Sequence, residues 1–164
     1  MHLPKGIYVD GPSADYQAHM PPRAIIFDFF GVLCSEVAPF WLDEHLPGQE
    51  ALIRRELLTP ADRGELSAAE LFAALSKRSG IPPDAIEQDW RARAHINHEL
   101  LDHVRALKGV CKLGILSNAI APYFHTITAD LALSTLFDVV AISSEIGHAK
   151  PEREAYAHIL SALG

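Results

Sequence analysis

Cysteine is scarce in this 164-residue sequence: there are two, Cys34 and Cys111, far apart in the chain. A disulfide-stapled scaffold needs more of them, and a structural zinc site needs pairs at short spacing. Both are read as reduced thiols of a cytoplasmic protein. Positive charge is also short, with 14 Lys and Arg against 21 Asp and Glu and a formal net charge of −7. Nucleic-acid binders concentrate Lys and Arg on one face, so no nucleic-acid partner is expected. The nine histidines add no Lys/Arg-rich block. Long apolar runs are missing too. The most apolar stretch, Ala24 to Leu33, is interrupted by Asp28 and is far too short to cross a bilayer, so no membrane partner is expected. The opening Met1-His2-Leu3-Pro4-Lys5-Gly6 lacks the apolar region of a secretory signal. There is no internal repeat and no low-complexity tract. With 49% hydrophobic and 21% charged residues, the composition is that of a folded globular domain.

Three short apolar runs, rich in β-branched and aromatic residues, predict buried strands: Ala24-Ile25-Ile26-Phe27-Asp28, Lys112 to Asn118, and Phe137 to Ser144. Each turns polar at its carboxyl end, the edge where ligands bind in open α/β sheets. Residues 1–23 carry six Pro and Gly without an apolar period and read as a flexible leader. Between the first two strands lies a long helical stretch. Gln49 to Leu58 predicts one helix, broken by Thr59-Pro60. Ser67-Ala68-Ala69-Glu70 is a capping box that opens another, and Gly80 with Pro82-Pro83 stops it. Asp84 is expected to cap the next. Ile96, Leu100, Leu101, Val104 and Leu107 stripe a further helix that ends at Gly109. Pro122 to Leu133 reads as a crossover helix, and Tyr156, Ile159, Leu160 and Leu163 stripe a last one. A parallel strand pair needs only one crossover helix, so the excess between the first two strands reads as an inserted helical subdomain.

Three polar residues stand at or just past the strand ends: Asp28, Ser117 and Lys150. On a parallel sheet these ends share one edge. A carboxylate can attack phosphorus, a hydroxyl can orient a phosphoryl oxygen, and an ammonium can neutralise the developing charge.

The motifs around them resemble the haloacid dehalogenase-like (HAD) hydrolase superfamily. The first is Phe27-Asp28-Phe29-Phe30-Gly31-Val32-Leu33, the second Ile115-Leu116-Ser117-Asn118, the third Gly147-His148-Ala149-Lys150-Pro151-Glu152. Each is weak alone, and their order and placement after strands make the set specific. The likeness runs from about Arg23 to Gly164. It implies a three-layer Rossmann-like α/β core with a parallel sheet, over 24–35 and 105–164, and an inserted α-helical cap over 36–104. Asp62-Arg63-Gly64-Glu65-Leu66-Ser67 resembles a recurrent cap segment. The resemblance further implies Asp28 as nucleophile, Ser117 and the Asn118 amide as phosphate holders, and Lys150 as charge balance. Mg²⁺ would be held by Asp28, by the main-chain carbonyl of Phe30 and by acidic residues of a fourth motif. The expected activity is a Mg²⁺-dependent phosphatase acting on a small phosphorylated metabolite.

Two departures from the family pattern stand out. Phosphatases of the family carry a second Asp two residues after the nucleophile as general acid and base, where this chain has Phe30, which transfers no proton. The fourth motif would follow the last helix on a strand beside the first, and the sequence ends at Gly164 where that strand is expected. The chain is therefore read as C-terminally incomplete, the alternative being a complete and inactive one. The first strand would then have an open edge, and association of two copies into a homodimer is expected. Two other functions stay open: a metal-free 2-haloacid dehalogenase, on the strength of the aromatic Phe30, and a non-catalytic binding protein on the same fold.

Blander explanations cover the remaining candidates. His95 and His98 can share a helix face beside Glu99, with His103 nearby, but no matching ligand pair accompanies them, and solvated histidines are expected. His148 is expected to be structural or exposed. Phe40, Trp41 and Leu42 could line a pocket under the cap, with ordinary core packing the competing expectation.

Overall fold

The computed structural model describes residues 22–164; all but the last two residues of the leader expected over 1–23 lie outside them. Three parallel strands form one sheet in the order β1-β2-β3: β1 Ala24–Phe27, β2 Lys112–Ser117 and β3 Val139–Ile142. Phe27 stands opposite Ile115, and Ser117 opposite Ile142. The strands are short, apolar and buried on both faces, as a parallel sheet requires.

Side-chain alternation sorts the sheet residues between two cores. Phe27, Leu113, Ile115 and Ile142 point to one face, where they meet Leu101 and Val104 of α5 (His98–Leu107) and Phe124 of α6 (Ala121–Thr128). Ile26, Leu116 and Ala141 point to the other, against Ala155, Ile159 and Leu163 of α9 (Arg153–Leu163). Helices on both faces of the sheet make a three-layer α/β fold. Gly114 lets α9 come close: a Cβ there would meet the δ-methyls of Ile159 and Leu163 at 3.0 and 3.2 Å.

The connection from β1 to β2 carries five helices. They are α1 (Ala38–His45), α2 (Glu50 to Asp62 in three segments), α3 (Ala68–Ser79), α4 (Pro83–Arg93) and α5. The first four bury a further core around Trp41, Leu42, Ile53, Leu71, Phe72 and Trp90, which Ile120 and Tyr123 from after β2 join. The capping box at the start of α3 is present: the Glu70 amide donates to Ser67 Oγ at 3.3 Å, and the Ser67 amide donates to Glu70 Oε2 at 2.9 Å. None of the helices is long and apolar enough to cross a membrane among the described residues.

Local expectations fail in four places. Thr59-Pro60 does not break α2, which runs from Glu50–Ile53 through a π turn over Arg54–Leu58 into Thr59–Asp62. A proline in a helix collides with the carbonyl four residues back. Here the Thr59 amide donates five residues back to the Arg54 carbonyl, which widens the backbone just before Pro60. Asp84 lies inside the first turn of α4, and Pro82 holds the cap position without a side-chain bond. Ile96 precedes α5, whose N-terminus is capped by Asn97 accepting from the Leu100 amide at 3.0 Å. The expected crossover helix over Pro122–Leu133 ends at Thr128; a 3₁₀ turn and then α7 (Leu133–Leu136) follow, separated by Ala132 at φ 47°. That left-handed residue interrupts the helical path. α8 (Ser143–Ile146) then follows β3 directly.

Candidate active site

The carboxyl ends of the strands carry the polar cluster. Asp28 follows β1 and is held by the tight turn after it. The Phe29 carbonyl accepts from the amides of Leu33 and Cys34 at 2.8 and 2.9 Å, and the Gly31 amide donates to the Cys34 carbonyl at 2.7 Å. Gly31 has φ 78°, a left-handed backbone that favours glycine; a Cβ there would sit 2.9 Å from Glu36 Oε1, the end of a side chain that can swing aside.

Lys150 reaches Asp28 across the sheet edge: its Nζ lies 2.6 Å from Asp28 Oδ1. The same oxygen accepts from the Phe29 amide at 2.8 Å. Asp28 lines a cavity, and its Oδ2 accepts no hydrogen bond from a described residue. Asn118 grips the backbone of Lys150 on both sides. Its Nδ2 donates to the Lys150 carbonyl at 2.9 Å, and its Oδ1 accepts from the Lys150 amide at 2.7 Å. Ser143 and Ser144 tie the loops together further, accepting from the Ala119 and Ala121 amides at 2.9 and 2.8 Å.

Ser117 ends β2. Its side chain is fully buried, and its Oγ has no hydrogen-bond partner among the described residues. Buried hydroxyls are nearly always satisfied, so Oγ is free to take a partner, although Ser117 itself does not line the cavity beside Asp28. Phe30 lies beside Asp28, stacked on Tyr123 with ring centroids 6.2 Å apart. No backbone hydrogen bond between described residues ends on the Phe30 carbonyl. Among the described residues, no group of three or more His, Cys, Asp or Glu could hold a metal ion. The donors at hand are the Asp28 carboxylate and the Phe30 carbonyl. Two hard oxygens fit Mg²⁺, which takes one or two carboxylates and completes its shell with substrate phosphate and water.

Above this floor is a cavity of about 300 Å³. Its polar rim is Asp28, Glu36, Arg54, Asp62, Asn118 and Lys150. Its apolar wall includes Val37, Leu58, Leu71, Trp90, Ile120 and Tyr123. The Tyr123 hydroxyl is spent on the Trp90 carbonyl at 2.9 Å, and burial pushes its pKa up, so the ring presents an apolar, neutral surface. Glu36 is also pushed up, by burial first and by the Asp28 charge second.

Glu36, Arg54 and Asp62 were not singled out as site residues from sequence. Glu36 and Arg54 carry no local signal. Asp62 opens the segment that resembles a recurrent cap motif. Of the other candidates, Trp41 and Leu42 are fully buried in the helical core, while Phe40 is 66% exposed and does not line the cavity. His148 is exposed and meets Glu152 at 3.3 Å. His103 Nδ1 contacts the Glu99 carbonyl at 2.7 Å, and no metal cluster includes it, His95 or His98.

Two contacts seat the end of α2 on the strand-end loops. Arg63 Nε donates to Glu152 Oε1 at 2.7 Å, with Nη2 on the same oxygen, and the guanidinium holds Glu152 below the usual carboxylate range. Gly64 has φ 74°, and a Cβ there would lie 2.5 Å from the Ser144 carbonyl oxygen. Gly64→Val is expected to cost about 1–2 kcal/mol for the left-handed backbone and about 1–3 kcal/mol for the overlap. A drop in thermal midpoint of several degrees checks it; an unchanged midpoint would show that the close approach is not made.

A family model described as haloacid dehalogenase-like hydrolase matches residues 22–164. The chain is similar to the sesquiterpene phosphatase astK of Aspergillus oryzae, 26% identical over 145 residues, covering 86% of this chain and 74% of that protein. Among solved structures it resembles a HAD family enzyme of Bacteroides thetaiotaomicron in complex with magnesium and inorganic phosphate, with a TM-score of 0.69, 18% identity and coverage of 85% of this chain and 77% of that one. It also resembles the L-2-haloacid dehalogenase of Xanthobacter autotrophicus, with a TM-score of 0.57, 21% identity and coverage of 87% and 65%. At these identities the structural likeness is one of fold.

Proposed function

The chain belongs to the haloacid dehalogenase-like hydrolases, and from that premise we propose that it is a Mg²⁺-dependent phosphatase. Its substrates are phosphate monoesters of small metabolites with an apolar body, and Asp28 carries the phosphoryl group. The observation that carries this reading is the state of Asp28. One oxygen is fixed by Lys150 at 2.6 Å and by the Phe29 amide, the other has no partner among the described residues, and the residue lines a cavity.

In this reading Asp28 Oδ2 attacks phosphorus and forms an acyl phosphate as the ester oxygen leaves. Lys150 orients Asp28 and balances charge as the phosphoryl group arrives. The orphaned Ser117 hydroxyl donates to a phosphoryl oxygen, and Asn118 positions Lys150. Water then hydrolyses the acyl phosphate and frees Asp28. Mg²⁺, held by the Asp28 carboxylate and the Phe30 carbonyl, would neutralise phosphoryl charge when bound. Residues 36–104 act as a cap whose apolar wall sets substrate choice. A cavity lined by Leu58, Leu71, Trp90, Ile120 and Tyr123 beside its charged residues suits a hydrocarbon ester better than a sugar. The sesquiterpene phosphatase relative points the same way.

Phosphate release from an aryl phosphate, a terpenyl monophosphate and a sugar phosphate, with Mg²⁺ and with EDTA, tests the reading. EDTA is expected to abolish release. The terpenyl ester is expected to exceed the sugar phosphate in kcat/KM by roughly 10–200-fold, the worth of an apolar fit. The aromatic Phe30 favours one competitor, a metal-free dehalogenase. Halide release from 2-chloropropionate that survives EDTA would put that reading in place of the phosphatase.

A further inference from the structure

The proposed chemistry leaves one proton without an owner. The oxygen of an alkyl phosphate leaves as an alkoxide unless it is protonated, and Phe30, next to the nucleophile, has no proton to give. We propose that Asp62 gives its carboxyl proton to the leaving oxygen and takes a proton back from the water that hydrolyses the acyl phosphate. This rests on the phosphatase reading above.

Elimination among the groups lining the cavity leads to Asp62. Asp28 is the nucleophile, and Lys150 is paired with it. The Asn118 side chain is committed to the Lys150 backbone, and the Tyr123 hydroxyl to the Trp90 carbonyl. Arg54 does not deprotonate. Glu36 shares the floor with Asp28 and feels its charge, so it lies on the attacking side. In-line displacement puts the leaving oxygen on the far side of phosphorus from Asp28. Asp62 lines the same cavity from the end of α2, and the Asp28 charge that acts on Glu36 is not among those acting on it.

Three further observations support the placement. Asp62 lines both the main cavity and the adjoining cleft, and Asn118 and Lys150 border both with it. The residues after it are pinned to the strand-end loops by the Arg63–Glu152 pair and by the seat of Gly64 on Ser144, so its distance from the floor is set. No hydrogen bond or ion pair between described residues ends on its carboxylate, and burial outweighs the pull of Arg54 and Lys150 to push its pKa up to about 6. The charged groups around it are Arg54 on its own helix, Lys150 after β3, Asp28 and Glu36 lining the same cavity, and the Arg63–Glu152 pair on its flank.

The steps balance. Asp28 Oδ2 bonds to phosphorus as the P–O ester bond breaks, and the Asp62 proton goes to the ester oxygen, releasing the alcohol. Water then bonds to phosphorus, its proton returns to Asp62, and phosphate leaves as Asp28 recovers its carboxylate.

Asp62→Asn tests this with two substrates. Loss of a general acid and base is expected to lower steady-state release from an alkyl phosphate by roughly 10²–10⁴-fold. With 4-nitrophenyl phosphate, whose leaving group needs no proton, the variant should still release a burst of nitrophenolate of about one per chain. Phosphoenzyme should then accumulate, because water attack has lost its base; mass spectrometry of acid-quenched protein reads it. In the parent, kcat/KM for the alkyl ester should fall above pH about 6 relative to the aryl ester, and in the variant that difference should vanish. A carboxyl whose pKa is raised on folding costs stability once it is ionised. The variant should therefore melt no lower than the parent at pH 8, which separates a catalytic loss from misfolding. Parent-like turnover of both esters, or loss of the aryl burst in a variant that melts normally, would overturn the proposal. Failure of the unsubstituted chain to release phosphate from either ester would overturn the phosphatase reading, and this one with it.

Discussion

Asp28→Asn is expected to lower phosphate release by roughly 10⁴-fold or more, the scale seen when a covalent nucleophile is removed. The change is nearly isosteric. The amide oxygen can still accept from the Phe29 amide, now 2.8 Å from Oδ1, so the turn after β1 should keep its shape. What is lost is the carboxylate oxygen proposed to attack phosphorus, together with the ion pair to Lys150 at 2.6 Å. Two readouts check it together: the steady-state rate, and the phosphate found on acid-quenched protein, which should disappear from Asp28→Asn. A variant that turns over at the parent rate would remove Asp28 from the chemistry and leave the cavity as a binding site.

Lys150→Met ranks second, with an expected loss of about 10²–10³-fold, the usual cost of deleting one preorganised charge partner in a reacting site. The Lys150 side chain is 19% exposed and that of Asp28 is 42% exposed. Asp28 therefore stays hydrated when its partner goes, and the fold should tolerate the change. The effect should fall on kcat more than on KM if Lys150 stabilises charge that develops during transfer. Lys150→Arg should recover little. Asn118 clamps the backbone of residue 150 from both sides, so a longer and wider cation has no room to step back. A KM effect with kcat unchanged would make Lys150 a substrate-binding residue only.

Much of the framework was legible in the residues. Ile25, Ile26 and Phe27, Leu113 to Leu116, and Val139 to Ile142 are runs whose length and β-branched character require a strand buried on both faces. Ser67 and Glu70 declared the start of α3 because a capping box closes within four residues. The local signals that misled did so for local reasons overruled by tertiary ones. Pro60 reads as a helix breaker, and the π turn over Arg54–Leu58 admits it because Leu57 and Leu58 gain burial in the helical core. Trp41 and Leu42 lie close to the first motif in sequence, and the helix they share turns them into that core instead of the cavity.

Sequence alone determined the three-layer α/β class and the residues that stand at the strand ends, Asp28, Ser117 and Lys150. Strand periodicity is a property of neighbours in the chain, and parallel strands deliver their carboxyl ends to one edge whatever else is built on them. Tertiary structure decided which side chains face that edge from above. Asp62 and Arg54 reach the cavity only because α2 is docked by Arg63 on Glu152, 89 positions away, and by Gly64 against Ser144. Contacts of that range leave no period or spacing in a single sequence. They depend on how the helical core meets the sheet core, where Phe30 and Ile127 pack against both and Tyr123 lines the cavity.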